Sequence, residues 1–261
     1  MDQEGLDFAT ALRQAQALGY AEPNPTDDIE GTDAAYKLAI LASLAFRTQV
    51  YPNNIYREGV SRLAPRDFRY ARELGYTIKL LAIARAVEAG LQVRVHPAFI
   101  PQDWLLAKVD GVFNALQVDG DLVGRLLVYG RGAGPQPTAS ALLADVIAIA
   151  RRLHRGVPLT PAPDPGPGLP LVPLAELVTR HYFRIDVADR PGVLAQMARI
   201  LGDRGISIAS VIQKEADPQA GTAEIVMMTH PARDAAVRAA LDELERLDVV
   251  KEIGTWVRVE A

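Results

Sequence analysis

GVPLTPAPDPGPGLPLVPL, residues 156–174, places seven prolines in nineteen positions. Proline fixes φ and has no N–H to donate, so neither a helix nor a central strand can run through such a stretch. It reads as a semi-rigid linker that divides the chain into residues 1–155 and 175–261. A chain of 261 residues is long enough for two domains.

Composition narrows the functions. The chain is 49% hydrophobic and 23% charged, with a formal net charge of −4 and no cysteine. No basic stripe is present, so nucleic acid is not an expected partner. The absence of cysteine removes disulfide and thiolate chemistry and fits a cytoplasmic protein. MDQEGLDFATALRQ, at the N-terminus, is acidic and amphipathic and lacks the basic start and apolar core of a signal peptide. The greasiest stretch, Leu38–Phe46, is interrupted only by Ser43 and is too short to span a bilayer. The four histidines, His96, His154, His181 and His230, are scattered, so no metal site is expected.

In the first part, Phe8, Leu12, Ala15 and Leu18 recur at helical spacing, and Gly19 supplies a stop. After the loop AEPNPTDDIEG, Thr32 is placed to cap a helix with Asp33 in its first turn. That helix is apolar almost all round after Lys37, which predicts burial on several sides. A further helix is expected near 66–74. TIKLLAIARAV and LQVRVHP read as strands. VFNALQVDGDLVGRLLVYG reads as a hairpin turned at Asp119–Gly120. GRGAGPQP then leads into a helix from about 138 to 153.

The second part reads β-α-β-β-α-β, with Pro191 in the first turn of its first helix. The expected fold class is therefore α+β / α/β: a mixed β-sheet covered by helices, followed by a ferredoxin-like βαββαβ sandwich.

Five carboxylates, Glu22, Asp27, Asp28, Glu30 and Asp33, precede Lys37. Asp27 and Glu30 read as a solvated acidic approach to a helix N-terminus. Asp33 and Lys37 lie four apart on one helix face. They could be a plain surface ion pair. Alternatively, a lysine partly desolvated at the edge of a buried helix, held charged by its carboxylate neighbour, could pass a proton. Pattern alone leaves both open.

GYAEPNPTDDIEGTDAAYKLAILASLAF, residues 19–46, resembles the signature of the homoserine dehydrogenase family. LGYTIKLLAIA (74–84), FNALQVDGD (113–121) and YGRGAGPQPTASALLADV (129–146) continue the resemblance in order, across essentially all of residues 1–155. It implies interconversion of L-homoserine and L-aspartate 4-semialdehyde with NAD or NADP, in threonine and methionine biosynthesis. It implies that Lys37 hands a proton to the carbonyl oxygen and that Asp33 binds substrate and orients Lys37. Glu22 would contact homoserine, and Asp28 would line the pocket.

Gly130, Gly132 and Gly134 lie between a strand and a helix. As a dinucleotide fingerprint the spacing is poor, and a tight strand-to-helix turn is the alternative. The resemblance implies that this loop closes over the nicotinamide end of the cofactor, with Gly134 in contact. The family's dinucleotide-binding domain precedes the matching region, and no G-x-G-x-x-G follows an N-terminal strand here. This chain alone is therefore expected to be inactive. It would be a shortened reading of a longer gene, half of a split enzyme, or a sensor.

HYFRIDVADRPGVLAQMARILGDRGISIASVIQKE resembles an ACT domain, a regulatory amino-acid-binding module, most strongly at DRPGVL. The resemblance implies an effector such as threonine near Asp189, Gly192 and Ser207, and pairing of modules in a homo-oligomer. Many members carry asparagine where this chain has Ser207. A structural alternative is that Gly192 merely allows close helix–sheet packing.

Overall fold

The computed structural model describes residues 1–2, 4–132, 134–157, 168–217 and 219–260. The chain runs through α1 (Phe8–Ala17), α2 (Thr26–Ile29), α3 (Thr32–Phe46), β1 (Tyr56–Arg57), α4 (Pro65–Glu73), β2 (Tyr76–Val87), β3 (Gly90–Pro101), β4 (Phe113–Gly120), β5 (Gly124–Arg131) and α5 (Pro135–His154). It continues with β6 (Val178–Ala188), α6 (Val193–Asp203), β7 (Ile208–Asp217), β8 (Thr222–Thr229), β9 (Ala232–Arg233), α7 (Asp234–Leu244) and β10 (Val250–Val259). This is a mixed sheet covered by helices followed by the βαββαβ order, as the sequence predicts.

The two parts are not separate sheets. One eight-stranded sheet runs β1-β3-β10-β6-β8-β7, with β2 paired to β3 and β9 to β6. The β10-β6-β8-β7 portion is antiparallel throughout. The join is a short parallel pairing of Arg258 and Val259 with Ala98 and Phe99, extended by the Glu260 N–H donating to the Phe99 carbonyl at 2.9 Å. The described end of the proline-rich segment is also stitched down. The Leu91 N–H donates to the Pro170 carbonyl, and the Val172 N–H to the Leu91 carbonyl. The semi-rigid linker reading of 158–167 lies outside the described residues.

Period-two alternation sends successive residues of β6 to opposite faces. Phe183, Ile185 and Val187 join Met197, Leu201, Val237 and Leu244 in a core under α6 and α7. On the other face, Tyr182 joins Phe68 and Ala71 of α4. Arg184 shares this second face and is 3% exposed. Its Nε donates to Asp67 Oδ1 at 2.7 Å, and its Nη2 to Thr255 Oγ1 at 2.9 Å. Asp67, in the first turn of α4, also accepts from the Ala64 N–H at 2.8 Å. One carboxylate thus caps α4 and fastens it to the sheet. Two further buried arginines act the same way. Arg94 donates from Nε and Nη2 to Glu260 Oε1. Arg258 donates to Asp234 and Glu58. Burial alone would raise the Glu260 carboxyl, but the His96 imidazole and the Arg94 guanidinium overcome it and hold it at about 2.

Several local expectations are corrected. α3 is not buried on several sides. Ala35, Leu38, Ala39 and Ala42 pack on β2 and β3, while Ile40 and Leu44 are each 63% exposed. Its N-cap is Gly31, not Thr32. Gly31 has φ +72°, and a Cβ there would fall 2.9 Å from Val95 Cγ1, so no capping side chain fits. Thr32 instead accepts a hydrogen bond from Arg57. The β4–β5 hairpin turns two residues later than Asp119–Gly120, because Gly120 pairs with Gly124 and the loop is 121–123. Gly124, at φ +72°, supplies the left-handed residue, and Asp119 pairs with Arg125 across the strands. α5 begins at Pro135, so both prolines lie in its first turn. Pro191 precedes α6, whose N-cap is Gly192.

Two outcomes are expected. Arg184→Ala leaves Asp67 buried without its cation and should cost about 3–5 kcal/mol in urea unfolding. His181 accepts from Trp256 Nε1–H on Nδ1 at 3.0 Å, so its proton sits on Nε2, facing the Ala232 carbonyl. Burial lowers its pKa to about 4. Below pH 6.5 the unfolded chain takes up a second imidazole proton and the folded chain does not. Stability should therefore fall as pH drops from 6.5 to about 4, by at most roughly 1.4 kcal/mol per pH unit. His181→Gln should remove that slope, as read by urea unfolding at stepped pH.

Candidate active site

The acidic approach to α3 folds back on itself. Gln16 holds the loop to α1 by donating to the Glu22 and Pro23 carbonyls. Asn24 accepts from the Thr26 hydroxyl at 2.7 Å and so starts α2. One turn of helix carries Asp27 and Asp28, and the left-handed Gly31 then reverses the chain into α3. The reversal returns Asp33 toward Glu22. Glu22, Asn24, Asp27, Asp28, Asp33 and Tyr36 together line a concavity of about 150 Å³.

Three of the residues singled out in the sequence, Glu22, Asp28 and Asp33, are therefore brought together. Asp27, read as simple solvated acid, belongs with them, as do Asn24 and Tyr36. The i, i+2 step from Asn24 and the i, i+3 step from Asp33 to Tyr36 carry too little pattern to reveal this. Four carboxylates and no lining cation make the concavity attractive to an ammonium group. Lys37 sits at its edge, with Nζ 2.6 Å from Asp33 Oδ2. Its side chain is 65% exposed and that of Asp33 is 44%. The partial desolvation expected of Lys37 is thus absent here, because α3 packs on one face only.

The floor under the loop comes from the segment after β1. The Val60 N–H donates to the Ile29 carbonyl at 3.0 Å. A Cβ on Gly59 would stand 2.5 Å from that carbonyl oxygen and 2.9 Å from Glu30 Cα. Gly59 is thus required for close approach, a role that an isolated glycine in the sequence does not announce.

The glycine-rich loop is not part of this concavity. Gly130 pairs with Asn114 in the hairpin, and a Cβ at Gly132 would overlap the Asn114 amide. Gly134, at φ +114°, caps α5, and a Cβ there would meet only Pro137, at 3.8 Å. Pro135 and Pro137 bring no N–H to that helix start, which makes it a poor seat for a pyrophosphate. α5 has no buried residue.

In the second module, the Asp189 N–H donates to the Gly221 carbonyl, and Asp189 Oδ1 accepts from Gln213 at 3.4 Å. Gly192 has φ +90° with nothing within 4 Å of a Cβ, so backbone conformation rather than close packing requires glycine there. Ser207 is exposed, and its carbonyl accepts from the His230 N–H. Asp189, Gly192 and Ser207 do not line the acidic concavity. Among the described residues there is no group of three or more His, Asp or Glu placed to hold a metal, and no helix is long and apolar enough to cross a membrane.

The family model for homoserine dehydrogenase matches residues 1–147, and that for the ACT domain matches 181–249. Homoserine dehydrogenases from Neisseria gonorrhoeae and Pseudomonas aeruginosa are each 44% identical over all of this chain, which covers 61% of either relative. The crystal structure of a homoserine dehydrogenase from Thiobacillus denitrificans superimposes with TM-score 0.88 at 44% identity, again over the whole chain and 60% of that structure. The S. aureus enzyme at pH 7.0 gives 0.71 at 26%.

Fold and site together define an α+β domain with an acidic helix-end concavity, built into one sheet with an ACT module. The chain belongs to the homoserine dehydrogenase family. It spans about 60% of the length of the relatives it matches.

Proposed function

We propose that this chain is the substrate-binding and regulatory portion of an NAD- or NADP-dependent homoserine dehydrogenase, an oxidoreductase interconverting L-homoserine and L-aspartate 4-semialdehyde. The observation that carries the reading is the convergence of Glu22, Asp28 and Asp33 on one concavity, with Lys37 held 2.6 Å from Asp33 at its edge. The relatives it matches are homoserine dehydrogenases.

The carboxylates bind the substrate's ammonium and fix its orientation. In the reducing direction the Lys37 ammonium gives a proton to the aldehyde oxygen as hydride reaches the carbonyl carbon. In the oxidising direction the neutral amine accepts the hydroxyl proton. Asp33 aims Nζ. Hydride transfer is the chemistry the nicotinamide supplies when bound. The open surroundings of Gly134 suit close approach of a flat ring, but the two prolines after it do not suit a pyrophosphate. Most cofactor binding would therefore fall to a further dinucleotide-binding domain. Threonine and methionine biosynthesis, feedback through the ACT module and a homo-oligomer follow from the same reading. So do Asp189, Gly192 and Ser207 as effector contacts and the division into 1–155, 156–174 and 175–261.

A second reading, a non-catalytic amino-acid-sensing module, draws on the complete βαββαβ unit in a chain that spans only part of its relatives. Homoserine-dependent NADP reduction, measured after fusing the chain to a relative's dinucleotide domain, separates the two. We expect activity, and a loss of about 10²–10⁴ in rate for Lys37→Ala. An unchanged rate would remove Lys37 from the chemistry.

A further inference from the structure

A second concavity, of about 200 Å³, lies at the seam between the two halves of the chain. One wall is the segment 58–63 that follows β1, and the other is α7 with β10. None of Glu22, Asp28, Asp33, Asp189, Gly192 or Ser207 lines it. Its volume is below the roughly 300–1,000 Å³ typical of drug-sized ligands but well above a single water.

Both signs of charge reach it. Arg62 enters from the first half, Asp242 from α7 and Glu245 from the residue that caps it. These three side chains make no ion pair or hydrogen bond with other described residues. The two other charged lining residues, Glu58 and Arg238, are already engaged: Arg258 holds Glu58, and Arg238 lies 3.8 Å from Asp234 and over the Trp256 ring. Leu63 and Trp256 supply apolar lining. Arg258, fully buried against the Trp256 ring, keeps one guanidinium nitrogen, Nη2, without a partner.

We infer that this seam cavity binds a small zwitterion, its carboxylate on Arg62 and its ammonium on Asp242 and Glu245, with a short aliphatic side chain on Leu63 and Trp256. Acid alone would favour a simple cation, and arginine alone a simple anion. The two signs across an apolar floor favour a ligand that carries both. The inference concerns binding only and does not rest on the catalytic reading. Its location is nevertheless consequential: Gly59 and Val60, beside the cavity wall, support Ile29 and Glu30 under the acidic concavity.

The test uses the whole chain carrying Trp104→Phe, so that Trp256, the other of its two tryptophans, reports alone. It is titrated with L-valine and L-threonine, and with isobutylamine and isobutyrate as single-charge halves. Saturable fluorescence change with at least one amino acid is expected, with each half binding at least about tenfold more weakly. Arg62→Gln and Asp242→Asn, both at exposed positions, should each weaken binding about tenfold. Asp189→Asn should leave it unchanged. No saturation by either amino acid, equal binding by a half, affinity untouched by both cavity variants, or loss with Asp189→Asn would overturn the inference.

Discussion

Three arginines buried in one sheet decide how this chain holds together. Arg94, Arg184 and Arg258 are each at most 3% exposed. Removing a guanidinium from water costs several kcal/mol unless carboxylates surround it. Each is met by an acid from another element: Glu260 for Arg94, Asp67 for Arg184, Asp234 for Arg258. The pairs Arg94–Glu260 and Arg184–Asp67, together with Arg258–Glu58, bridge the two halves of the sequence. Because separating these partners would strand charge in an apolar interior, they specify one relative placement of the halves, which the β3–β10 pairing then continues as backbone hydrogen bonds.

The candidate site follows from that placement. The segment 56–60 is anchored at Glu58 by Arg258, and its Gly59 and Val60 support the loop that gathers Glu22, Asp27, Asp28 and Asp33. The acidic concavity is thus fixed from below by a residue of the last strand. By contrast, the β4–β5 hairpin and α5 present exposed apolar side chains such as Val128, Leu142 and Val146. The glycine loop between them stands apart from the acids.

Much of this was legible in the sequence. Period-two runs gave β2, β3, β6 and β10, helical spacing gave α4, α6 and α7, and the signature around Asp33 and Lys37 located the acids. What pattern could not show was partnership. Arg94 in LQVRVHP and Arg184 in YFRIDVA look like the solvent face of an alternating strand. Arg184 is buried because α4 packs over its face of β6 and brings Asp67 to it, and Arg94 because Glu260, just past β10, meets it; the sequence carries no local sign of either partner. The reverse holds at α3, where a nearly all-apolar sequence implies burial, but the Ala35–Ala42 face packs on the sheet while Ile40 and Leu44 stay exposed. Gly31 displaced Thr32 as cap because Val95, more than sixty residues on, fills the space a side chain would need.

Native-state hydrogen exchange of the β3 and β10 amides tests the central claim that the two halves form one cooperative sheet. The account predicts that residues 98–100 and 257–260 exchange through a common opening, with the same free energy and the same denaturant dependence. Separate openings, with β3 exchanging at markedly lower free energy than β10, would contradict it.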